Sequence, residues 1–163
     1  MKSIPSIIVW MMVISIFLKL LVYTANWQFT DYEKVYLFGN FFVMMWGIYS
    51  GIRLFKKNAA ETTVYLADLK AGMRIASVYA LIMSAFIYIY YSQIDTQYFE
   101  QKIQERIELT IKQGEDIEQA KKSMEMVSTP FFQSTLTLIG FLILGSFYSA
   151  MLAFLIRRIS RER

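Results

Sequence analysis

The chain of 163 residues is 56% hydrophobic and 17% aromatic and carries a formal net charge of +4. It contains no His and no Cys, which excludes disulfides, thiolate nucleophiles, imidazole bases and the common zinc sites. The length fits one domain, 1–163, and the apolar share exceeds that of an ordinary soluble one.

A bilayer core about 30 Å thick takes roughly 20 apolar residues as a helix, and lipid offers the backbone no outside hydrogen-bond partner. Four stretches meet that demand: Ile4 to Thr24, Val35 to Ile52, Ala71 to Tyr91 and Phe131 to Ile156. The predicted fold class is therefore all-α, an integral membrane four-helix bundle.

The first stretch begins after Lys2, as a secretory leader would. Lys19 interrupts it late, Tyr23 and Ala25 make a poor cleavage site, and Leu20, Leu21 and Val22 resume it; a retained helix is expected. Lys19 stands about five residues from the helix end, a rise of roughly 7–8 Å. Its side chain is expected to snorkel most of that distance to the interface, with Asn40 of the second helix as a candidate bonding partner.

The turn after the first helix holds Lys34 beside Asp31 and Glu33. The second helix carries Gly47 and Gly51, and the third carries Gly72, Ala76, Ala80 and Ser84 at intervals of four. The fourth carries Gly145, Ser149 and Ala153 at the same interval. In lipid, small residues let helices approach closely enough for van der Waals packing to hold them together. These stripes predict packing within one bundle, with a homodimer through Gly47 and Gly51 as the alternative.

Between the third and fourth helices, residues 92–130 carry eight acids and five bases. Phe99, Ile103, Ile107 and Ile111 recur every four residues, one apolar stripe on an amphipathic helix. Gly114 interrupts, Glu115 and Asp116 suit a new helix start, and Ile117, Ala120, Met124 and Val127 form a second stripe. The segment predicts a helical hairpin turning at Gly114 and closed by Pro130. Its stripes pack on each other as a cap or present a face to a membrane-protein partner. Glu115, Asp116 and Glu118 lack the spaced ligands of a calcium loop, so no metal is expected.

Basic residues cluster in the second connection (Arg53, Lys56, Lys57, Lys70, Arg74) and in the tail (Arg157, Arg158, Arg161, Arg163), with Lys2 at the start. Most of the remainder lie well inside the hairpin, where they orient the chain weakly. The positive-inside bias predicts both termini in the cytoplasm and the hairpin outside. Arg157, Arg158 and Arg161 are then expected at anionic lipid headgroups of the cytoplasmic face, worth about 1 kcal/mol each, and the basic balance needs no nucleic acid. Tyr23, Trp27, Tyr88, Tyr90 and Tyr91 are expected to form the outer aromatic belt.

No Asp or Glu falls inside the four stretches, which disfavours a carboxylate proton relay. No acid and base stand at reactive spacing, so neither an enzyme nor a cofactor is expected. The segments "LADLKAGMRIA" and "STPFFQSTLTLIGFLILGSFYSAMLAFLIRR", with Gly72 after Lys70, Pro130 ahead of the last helix and Gly145 to Ala153 before an Arg pair, resemble a family of bacterial four-span inner-membrane proteins of unknown function. The resemblance covers nearly the whole chain. It implies an inner-membrane protein with a periplasmic hairpin and brings no activity with it. The function expected is a non-enzymatic accessory subunit of a membrane assembly that docks through the hairpin. The alternative is a small transporter or channel subunit, working as a homo-oligomer.

Overall fold

A computed structural model describes residues 3–59, 63–113 and 116–161, the last without the side chains of Ser160 and Arg161. Among the described residues every regular element is a helix, with no strand. The elements are α1 (Ile4–Thr24), α2 (Glu33–Asn58), α3 (Tyr65–Ile89) running into a π-helical turn (Tyr90–Ile94), α4 (Tyr98–Gln113), α5 (Ile117–Val127) and α6 (Pro130–Arg161). Four helices are long and apolar enough to cross a membrane: α1, α2, α3 with its π turn, and α6. The chain is thus a multi-pass membrane protein of all-α class.

Local chemistry sets the helix ends. Ser3 caps α1, its hydroxyl accepting from the Ser6 amide at 3.4 Å, and Pro5 occupies the first turn, where its missing amide hydrogen costs nothing. At the other end Asn26 takes φ 54°, a left-handed conformation that Asn tolerates better than most residues. That allows the Trp27 amide to reach the Val22 carbonyl at 2.9 Å and the Asn26 amide to reach Tyr23 at 3.0 Å, satisfying the last carbonyls of the helix. In the turn that follows, Lys34 bonds Asp31 at 2.6 Å; that bond and the ammonium charge hold the Asp31 carboxyl below the usual carboxylate range.

Three helices outrun their predicted bounds, α6 by running on from Ile156 to Arg161. α2 continues from Ile52 to Asn58, and α3 starts at Tyr65 rather than Ala71. Charged side chains exclude these turns from an apolar window, yet suit the helix dipole: Lys56 and Lys57 lie in the last turn of α2 and Asp68 in the first of α3.

The chain forms two compact units, Met1–Ile82 with Ile139–Arg163, and Met83–Leu138; the predicted insert, 92–130, falls within the second. The core of the first unit is built from Ile7, Met11, Met44, Ile48, Ile52, Ile75, Tyr79 and Ala80. Here the start of α1, the end of α2 and the start of α3 share one groove lined by Ile4, Phe55 and Ala67. Arg157 of α6 reaches the Thr63 carbonyl at the same end. The basic connection and the basic tail therefore meet at one end of this unit.

In the second unit Met83, Ile87, Tyr90 and Tyr91 are buried. Asp116 caps α5, its carboxylate accepting from the amides of Glu118 at 2.9 Å and Gln119 at 3.2 Å, as expected for a helix start. Thr129 accepts from the Phe132 amide at 3.1 Å, and Pro130 takes the first position of α6. Gly114 and Glu115 lie outside the described residues.

Candidate functional site

The inward face of α1 reads Ile7, Met11, Ser15, Lys19, Val22. The helical repeat that buries Met11 also aims Ser15 and Lys19 at the core, and Lys19 is only 1% exposed. The snorkelling expectation is therefore corrected: the stem follows the buried stripe inward. The ammonium sits 5.0 Å from the centroid of the Tyr36 ring, within cation–π range.

A hydrogen-bonded chain links this face to α2 and α3. Tyr79 donates to Asn40 Oδ1 at 2.8 Å, and Ser15 Oγ stands 2.6 Å from the Tyr79 oxygen. A phenol has one proton, so Ser15 is the donor in that second bond. Asn40 in turn donates from Nδ2 to the Tyr36 carbonyl at 2.7 Å. Asn40 and Lys19, expected as partners, are thus joined through Tyr36, one on its carbonyl and the other over its ring. From α6, Phe141 packs on the Tyr79 ring at 5.4 Å. Ser15, Lys19, Asn40 and Tyr79 are all buried. Sequence reasoning missed Ser15 and Tyr79, although Ser15 stands four residues before Lys19 on one helix face.

The small-residue stripes lie against neighbours in the same chain. A Cβ on Gly72 would stand 2.8 Å from Ser149 Oγ, and one on Gly145 would overlap Ala76. The pairs step in opposite directions along α3 and α6, as antiparallel helices require. Ala80 and Ala153 are also buried, and Ser149 returns its hydroxyl to the Gly145 carbonyl at 2.6 Å. Gly47 makes room for Met11, and Gly51 for Ile75, so the proposed dimer glycines face α1 and α3 of their own chain. In the second unit Ser84 donates to the Ser134 carbonyl at 2.9 Å.

An ionic cluster gathers at the basic end. Asp68 is wholly buried. Thr63 donates to its Oδ1 at 2.6 Å, and Lys56 stands 3.5 Å from Oδ2. Arg157 donates to the Thr63 carbonyl at 3.2 Å, so one of the arginines expected at lipid headgroups also braces the connection. Arg158 is exposed; the side chain of Arg161 lies outside the described residues. Asp68 stands just outside the apolar stretch starting at Ala71, which is why sequence reasoning passed over it.

In the second unit the π turn closes with the Asp95 amide on the Tyr90 carbonyl at 2.9 Å, and the Tyr90 hydroxyl on Asp95 Oδ2, also at 2.9 Å. Tyr91 packs against Tyr98 and Phe99 with ring centroids 4.8 Å apart in each case. Tyr90 and Tyr91 are thus core residues, correcting their place in the aromatic belt; Tyr88 is exposed as expected. The tighter winding of an α-helix would hold these rings at another azimuth, and π turns recur at functional positions.

α4 and α5 pack against each other. Phe99, Ile103 and Ile107 are half-buried, but Ile111 is 58% exposed and Thr110 is fully buried. A strict four-residue interval drifts about 40° per step around a helix of 3.6 residues per turn, so the buried seam passes from Ile107 to Thr110. Leu109, Ile111, Ile117, Met126 and Val127 are left exposed, and no described residue of α5 is buried.

Among the described residues no group of three His, Cys, Asp or Glu side chains is placed to hold a metal ion. Against known proteins, the model of the family described as "Protein of unknown function (DUF4199)" matches residues 6–158. No curated protein matches, and no solved structure does.

Proposed function

The chain belongs to the family described as a protein of unknown function (DUF4199), and from that premise we propose a non-enzymatic interaction subunit of a membrane assembly. Its docking surface is the α4–α5 hairpin, together with the end of the predicted stripe at Ile111. The observation that carries this reading is the number of large apolar side chains left uncovered on α4 and α5: Leu109, Ile111, Ile117, Met126 and Val127. Short amphipathic helices bury such faces against something, and α4 and α5 use only part of theirs on each other.

In this reading the chain sits in a bacterial inner membrane with both termini cytoplasmic. The meeting of Arg53, Lys56, Lys57, Lys70, Arg74, Arg157 and Arg158 at one end of the first unit supports that orientation through the positive-inside bias. The hairpin, between the third and fourth crossings, then lies in the periplasm.

The test uses the natural absence of Cys. Single cysteines replacing Ile103, Ile107, Ile111 or Met126 are crosslinked in native membranes. One discrete adduct with another membrane protein, formed at Ile111 and Met126 and lost in Ile111→Asp, is the expected result. Adducts of the chain with itself alone, or none, would leave the hairpin a self-packed cap.

The run Lys19, Tyr36, Asn40, Tyr79, Ser15, buried except for the half-buried Tyr36, favours a second reading, a small transporter or channel subunit, because ionisable groups inside a membrane bundle commonly mark a path. Flux through reconstituted vesicles that falls in Lys19→Ala would support it. Vesicles no leakier than protein-free ones would remove it.

A further inference from the structure

We propose that the groove at the basic end of the first unit binds one anionic glycerophospholipid, its phosphate on Lys70 and Arg74 and an acyl chain along the floor. The groove has a volume of about 250 Å³. Ile4 and Ile8 of α1, Phe55 of α2 and Ala71, Ile75 and Val78 of α3 form its apolar lining. That volume falls below the roughly 300–1,000 Å³ of a drug-sized site and suits a segment of one hydrocarbon chain.

Lys70 and Arg74 also line it. They stand four apart on α3, so they share one helix face. Both are exposed, and among the described residues neither has an acidic partner: the nearby acid, Asp68, is held by Thr63 and Lys56. α3 with its π turn spans 30 residues, about 45 Å of helix against a hydrocarbon core of about 30 Å. Arg74, nine residues in, therefore stands near or within the edge of the hydrocarbon, where a cation facing lipid needs a counter-ion. The membrane supplies one at that depth, the lipid phosphate. A guanidinium matches it with two parallel hydrogen bonds and an ammonium adds a point charge. Two cations beside one aliphatic slot select an anionic headgroup over a zwitterionic one.

The proposal rests on the four bilayer crossings and not on docking by the hairpin. The full chain is purified in detergent, given phosphatidylglycerol or phosphatidylcholine, and examined by native mass spectrometry for retained lipid. One phosphatidylglycerol is expected to stay bound at activation energies that strip phosphatidylcholine. Each cation near a charged lipid surface is worth about fivefold, so Lys70→Gln with Arg74→Gln should weaken retention about 30-fold. Lys57→Gln with Arg158→Gln, the same charge change outside the groove, should leave it within about twofold. Ala67→Phe, which fills the slot without touching the charge, should also release the lipid, and circular dichroism melting reads the fold of every variant. Equal retention of the two lipids, an unchanged bound lipid in the groove variant, or an equal loss in the control pair would overturn the proposal. Flotation with vesicles reads the crossings separately: a chain that floats but binds no lipid sinks the groove alone, and one that does not float sinks both.

Discussion

Tyr79 gives its only hydroxyl proton to Asn40 over 2.8 Å while its oxygen stands 2.6 Å from Ser15. One phenol thereby fastens three membrane-crossing helices, and Tyr79→Phe keeps the ring against Phe141 while stripping both bonds. Leaving buried polar atoms without partners costs about 1–3 kcal/mol. A drop in thermal unfolding temperature in detergent is expected, with partial recovery when Ser15→Ala is added. An unchanged melting curve for Tyr79→Phe would remove the hydroxyl as a fastener.

Gly145 and Gly140 make a matched pair of probes. A Cβ at Gly145 would overlap Ala76, whereas one at Gly140 meets nothing within 4 Å among the described residues. Gly145→Leu should destabilise by about 1–3 kcal/mol or more through overpacking, and Gly140→Leu should be tolerated. Equal melting temperatures for the two variants would place the α3–α6 contact elsewhere.

Asp68 faces Lys56 from a fully buried position. Asp68→Ala leaves the half-buried ammonium without its counter-ion and the Thr63 hydroxyl without its acceptor. A loss of about 1–3 kcal/mol follows, less than for a wholly buried pair because water still reaches Lys56. Hydrogen exchange should quicken in residues 53–59 and 63–69. A variant exchanging there like the parent chain would show the pair to be idle.

Thr110 is buried in α4, and among the described residues its hydroxyl has no hydrogen-bond partner. Thr110→Val keeps the shape and deletes the unsatisfied group, so it should stabilise the hairpin by about 1 kcal/mol. Slower exchange along α4 and α5 is the readout. Faster exchange would mean that the hydroxyl has a partner such as water.

Sequence reasoning reached as far as spacing and hydropathy carry. α1 runs over Ile4–Thr24 as its apolar length demands, and the intervals of four that single out Gly72, Ala76, Gly145 and Ser149 correspond to real close approaches. It failed where two rules compete at one residue. Lys19 is long enough to reach the interface, but the phase of its helix turns it inward, and phase is shared with Ile7, Met11 and Ser15. Asp68 falls outside an apolar window although the helix dipole welcomes it. Tyr90 and Tyr91 look like interface anchors until the π turn, which hydrophobic periodicity does not announce, rotates them into the core. Ile111 keeps the interval of four, whereas the buried seam of α4 takes a step of three from Ile107 to Thr110.

The placement of Lys19 over the Tyr36 ring also bears on how the protein is made. α1 leaves the ribosome before α2 does, so for a time the ammonium enters a membrane that does not yet hold the ring covering it. Biogenesis therefore favours delivery of the first two helices as a pair, and a nascent chain halted before Tyr36 should linger at the insertion machinery rather than partition into lipid.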